Sequence, residues 1–142
     1  MFKNININDF FVETLNDLKC NELTKAYIIS IYNKYIISTY DMSQDNITLA
    51  FAQARAKHDF LAYQNIGDWI FFTQTMYPKH LNFASKDYYD TIAKLSYYSC
   101  YKLINREWKL YEQLADEFNY FEEETKNLLS KKLIPTFSII LK

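Results

Sequence analysis

The sequence predicts an all-α protein: a single-domain antiparallel bundle of five or six helices over residues 1–134, followed by an apolar tail at 135–142. Three observations carry that prediction. Only one glycine, Gly67, and two prolines, Pro78 and Pro135, stand among 142 residues, too few for the turns of a β-sandwich or barrel. Apolar and aromatic side chains recur at three- and four-residue spacing through most of the chain. Hydrophobic residues make up 49% and aromatic residues 18%, which is enough for a continuous core at the usual length of one domain and too much for a disordered chain.

The first helix is expected from about Asp9 to Lys19 behind Asn8 as its N-cap, with Phe10, Phe11, Val12, Leu15 and Leu18 at helical spacing. A second runs from Glu22 to Tyr40, capped by Asn21, with Leu23, Ala26, Tyr27, Ile29, Tyr32, Ile36 and Tyr40 forming its stripe. Its β-branched content suggests a strand, but the run is too long and keeps the helical period. The polar segment Asp41–Asn46 is an interior loop, and an alanine-rich helix from Ile47 to Lys57 follows. A fourth helix, from about His58 to Tyr77, carries Leu61, Ile66, Trp69, Ile70, Phe72 and Met76 and stops at Pro78. The pattern leaves open one long helix bent near His58 in place of the third and fourth. Ser85 caps a fifth helix through Asn105, with Tyr89, Ile92, Ala93, Ser96, Cys100, Leu103 and Ile104 on one face. A sixth, from about Arg106 to Leu133, aligns Trp108, Tyr111, Leu114, Ala115, Phe118, Phe121, Leu128 and Leu129, with Lys131 and Lys132 near its C-terminus. The tail after Pro135 is apolar and hides its side chains by docking on the bundle, pairing as a strand or inserting into another subunit.

Charge and motifs exclude several function classes. Sixteen Lys and Arg against seventeen Asp and Glu give a net charge of −1, which makes nucleic acid an unexpected partner unless Arg55, Lys57, Lys102, Arg106 and Lys109 converge on one face. Cys20 and Cys100, without CxxC spacing, read as free thiols in a reducing cytoplasm. Met1-Phe2-Lys3-Asn4 opens no signal-peptide pattern. Apolar stretches fall well short of the roughly 20 residues that span a bilayer, so no membrane association is expected. His58 and His80 lie at opposite ends of the fourth helix and share no metal, and neither Glu-x-x-His pairs nor His-Glu-x-x-His appear. A single glycine forms no phosphate loop, and there is no Gly-x-Ser-x-Gly elbow. No cofactor is expected.

Gly67-Asp68 is the most informative local feature, because glycine within a helix costs about 1 kcal/mol relative to alanine and needs a reason such as close packing. Asp68 stands among Ile66, Trp69, Ile70, Phe71 and Phe72, so it is expected to be partly buried and to need a tyrosine hydroxyl or Lys94 as partner. Tyr88, Tyr89, Tyr97, Tyr98 and Tyr101 fall on several faces of the fifth helix, so at least two reach a surface or an interface. Glu122-Glu123-Glu124 with Lys126, Lys131 and Lys132 reads as a solvated face.

The steps Ile66-Gly67-Asp68, Tyr77-Pro78, Asp87-Tyr88-Tyr89 and Leu114-Ala115-Asp116-Glu117-Phe118 resemble those of a family of small, uncharacterised bacterial helical proteins, over roughly residues 47–130. The resemblance implies a helical bundle with a packed Gly67 and an Asp68–Lys94 pairing, where Ala93-Lys94 stands for the family's Gly-Arg; it carries no activity. With recognisable chemistry missing and aromatic surface abundant, the first expectation is a non-enzymatic cytoplasmic interaction or structural protein that self-associates or binds another protein. The alternative is an enzyme or small-ligand binder with Asp68, Tyr89, Lys94 and Tyr97 as polar groups of an aromatic pocket.

Overall fold

The computed structural model describes residues 6–36, 46–104 and 108–133. Among them are seven helices and no strand: α1 (Ile7–Thr14), α2 (Glu22–Ile36), α3 (Ile47–Lys57), α4 (Phe60–Met76), α5 (Lys86–Leu103), α6 (Leu110–Asp116) and α7 (Phe118–Leu133), with a 3-10 turn at Pro78–His80. The fold class is all-α, as the spacing of apolar residues requires. No helix of the described residues is long and apolar enough to cross a membrane.

Helix α4 is the centre. Every residue from Ile66 to Thr75 is buried, so this helix is covered on all sides, and α2, α3, α5 and α7 all pack against it. The aromatic rings join across those contacts. Phe11 of α1 stacks on Tyr32 of α2 at 5.0 Å, Tyr32 meets Phe71 of α4 edge-on, and Phe71 meets Phe118 of α7 in the same way. Offset and edge geometries of this kind add to the free energy of burial alone.

Caps set the helix ends. Asn21 Oδ1 accepts from Thr24 N at 2.8 Å, Asp59 Oδ1 from Ala62 N at 3.2 Å and Ser85 Oγ from Tyr88 N at 3.2 Å, each satisfying an otherwise orphaned first-turn donor. Helix α4 ends at Met76, ahead of Pro78.

Three expectations about the elements need correction, and the alternative of one long helix in place of the third and fourth is decided against. The first helix is capped by Asn6, whose Oδ1 accepts from Asp9 N, and it ends at Thr14; Asn8 instead accepts from Asn33 Nδ2. The third and fourth helices stay separate, because His58 adopts the left-handed conformation (φ 50°, ψ 48°). Asp59 N then bonds Ala54 O and His58 N bonds Arg55 O, a Schellman closure with histidine where glycine is usual. The expected sixth helix bends at Glu117 (φ −109°, ψ 23°) into α6 and α7. Finally, Val12, Leu23, Ala26, Leu61, Leu103 and Trp108, assigned to buried stripes, are exposed; on α2 Ile29 and Tyr32 of the expected stripe are buried, together with Thr24, Ile28, Ile31 and Tyr35. Residues 37–40 of the second helix, the loop at 41–45, Asn105, Arg106 and the tail at 135–142 lie outside the described residues.

Candidate functional site

The four polar residues grouped by sequence, Asp68, Tyr89, Lys94 and Tyr97, occupy three different places. Asp68 and Tyr97 meet in the core. Asp68 Oδ1 accepts from Tyr27 Oη of α2 at 2.8 Å and from Tyr97 Oη of α5 at 2.7 Å. Gly67 makes this approach feasible: a Cβ there would lie 2.8 Å from Cε1 and 2.9 Å from Cζ of Tyr97, closer than carbon atoms pack. The ring of Tyr97 therefore lies directly against Gly67, with its hydroxyl brought to the next side chain. Burial raises the Asp68 carboxyl, the Tyr97 and Tyr27 hydrogen bonds and the nearby Lys34 charge oppose that rise, and the balance is a carboxyl pushed up to about 6. Both phenols are raised by burial and by the adjacent carboxylate, so they stay protonated donors. Beside them Tyr111 accepts from Gln64 Nε2 at 2.7 Å and stacks on Tyr97. The polar atoms answer one another, and the arrangement fastens α2 and α5 to α4.

Lys94 does not pair with Asp68. It lines a shallow groove of about 330 Å³ between α5 and α6, with Leu95, Tyr98, Ala115 and Asp116. Leu95 is 46% and Tyr98 39% exposed. Tyr98 packs against the ring of Tyr101, and Lys102 Nζ lies 4.8 Å from its centroid. Of the five tyrosines of α5, Tyr89 and Tyr97 are buried, Tyr88 and Tyr101 half-buried and Tyr98 exposed.

Tyr89 faces a third place, a cleft of about 440 Å³ where the end of α4, the start of α5 and α7 converge; Gln74, Leu81, Lys86, Asn119 and Glu122 also line it. Lys86 Nζ donates to Asp90 Oδ2 at 2.7 Å and to Glu122 Oε1 at 2.6 Å. Asp90 receives two more bonds, from Gln74 Nε2 at 2.8 Å and Asn119 Nδ2 at 3.0 Å. Glu122 is less complete: its side chain is 5% exposed, and Oε2 is buried with no donor among the described residues. Burial raises its carboxyl, the Lys86 hydrogen bond opposes that rise, and the Asp90 charge adds to it. Burial works against the Lys86 ammonium, but hydrogen bonds to Asp90 and Glu122 outweigh it and its pKa rises.

The sequence pattern does not reveal this cluster, because Glu122-Glu123-Glu124 has the look of a solvated face. Glu123 and Glu124 are exposed, but Glu122 is not. The available signal was periodicity: Glu122 stands four residues after Phe118, three before Thr125 and seven before Leu129, all buried, so helical spacing alone puts it inside. Its cation lies 36 positions earlier, beyond any local pattern. Among the remaining candidates, His58 closes α3 while His80 stacks on Tyr77. Arg55 and Lys57 end α3, Lys102 and Lys109 lie over Tyr98 and Tyr101, and Arg106 is outside the described residues.

Comparison with protein-family models, with curated proteins and with solved structures finds no match to this chain. The resemblance to small bacterial helical proteins therefore rests on its residues alone.

Proposed function

We propose that this protein is a non-enzymatic interaction protein of the cytoplasm that associates with a second copy of itself through the groove between α5 and α6. The observation that carries this reading is the composition of that groove. Leu95 and Tyr98 present apolar area to solvent in a groove that Lys94 and Asp116 also line, and neither charge forms an ion pair with another described residue. In a twofold contact each patch meets its own image. A surface that joins apolar area to one cation and one anion is suited to pair with its own image, with Lys94 of one copy against Asp116 of the other. The free thiols of Cys20 and Cys100 suit a reducing compartment.

Sedimentation equilibrium of the full chain across micromolar concentrations tests the reading. Wild type is expected to dimerise, and Lys94→Glu or Asp116→Lys alone to weaken the dimer by roughly tenfold, through like-charge contact. The double variant exchanges the two charges and recovers association. A wild-type protein that stays monomeric, or a double variant no better than the singles, overturns it.

A further inference from the structure

The cleft between α4, α5 and α7 carries an inference independent of self-association. Glu122 and Lys86 line it, and the Lys86 ammonium is shared between two carboxylates, Glu122 and Asp90. Asp90 is saturated by Lys86, Gln74 and Asn119. Those two amides must turn their nitrogens to Asp90, because only nitrogen can donate, and their carbonyl oxygens are left as acceptors. Glu122 is the unfinished member, with one oxygen on Lys86 and the other unpaired among the described residues. A buried carboxylate oxygen without a donor is costly. The Lys86–Asp90–Glu122 cluster thus carries one excess negative charge, with Glu123 and Lys126 of the lining offsetting each other, and it stands with the amide acceptors beside the apolar surfaces of Pro78 and Leu81.

We propose that this cleft binds a small organic cation, a primary ammonium group carried on an apolar body. The ammonium supplies the donor and the positive charge that Glu122 lacks. Oε2 is covered by its surroundings, so contact requires the carboxylate to pivot about its terminal bond, a soft torsion. The apolar body lies against Pro78 and Leu81. A volume of about 440 Å³ is within the usual range for small-molecule sites. Lys126, at the rim, opposes a cation, and this gives the proposal a second handle.

Three probes of one shape and different charge test the cleft: benzylammonium, benzyl alcohol and benzoate, each titrated into the full chain while the side-chain amide NMR signals of Gln74 and Asn119 are followed. Benzylammonium is expected to shift both signals to saturation and to bind at least about tenfold more tightly than benzoate, with the alcohol between them. Lys126→Gln is expected to tighten benzylammonium binding by about two- to threefold, and Glu122→Gln to weaken it about tenfold. Benzoate binding as tightly as benzylammonium, no shift with any probe, or a folded Glu122→Gln variant of unchanged affinity overturns the proposal. Should Glu122→Gln not fold, the ranking of probes on wild type and the affinity of the Lys126→Gln variant decide between support and refutation.

Discussion

Asp68 and Glu122 are both carboxylates on buried helix faces, and the protein satisfies them in opposite ways. Asp68, in the middle of α4, is held by two neutral phenols, with no cation in contact among the described residues. Glu122, at the edge of α7, shares an ammonium with Asp90. Position explains the difference. Deep inside, a lysine would bring a second desolvated charge whose burial cost rivals the attraction it gains, and a tyrosine supplies a donor together with a large apolar ring. At the cleft the long stem of Lys86, 60% exposed, keeps its ammonium partly in water while reaching both carboxylates. The core carboxylate is thus closed by neutral donors, and the one at the open edge by a cation.

Substituting Gly67 should break the first arrangement with the largest effect. Gly67→Ala places a methyl against the Tyr97 ring, and the ring cannot withdraw without losing its bond to Asp68. Overpacking and a weakened buried hydrogen bond together predict a loss of about 3 kcal/mol in chemical denaturation. A neutral or stabilising result would mean that the ring moves aside freely. The second arrangement should break more gently. Lys86→Met leaves Asp90 and Glu122 without their cation, a change that costs about 3–5 kcal/mol in fully buried pairs. Because the ammonium is largely exposed, water screens part of that repulsion, and about 2 kcal/mol is expected from the same measurement. An effect larger than that of Gly67→Ala would reverse the comparison.

Local signals were legible in the sequence and long-range ones were not. Helix α3 runs from Ile47 to Lys57 as its composition indicates, Ser85 and Asn21 cap as expected, and Pro78 stops α4. Gly67 announced close packing, and the tyrosine alternative for Asp68 is the one the fold uses. What escaped were features decided by packing. His58 takes the left-handed conformation without being glycine, and Asp116-Glu117-Phe118 bends with neither glycine nor proline to mark it. A pairing of Lys94 with Asp68 rests on charge alone, whereas two phenols from α2 and α5 close that carboxylate. The Lys86–Glu122 bond joins residues that no window of sequence contains together.

The most direct test of the buried clamp is an NMR titration of the Asp68 carboxyl carbon in the folded protein. A midpoint at about pH 6 is predicted, above the ordinary value of 3.8. The sign for stability follows. The folded chain holds this proton more tightly than the unfolded one, so the contribution is full below about pH 4 and is lost as pH rises through 6, by about 3 kcal/mol. A midpoint at or below 3.8 would show that hydrogen bonds, water or a cation outweigh burial at Asp68, and would contradict a dry site in which desolvation sets the proton affinity.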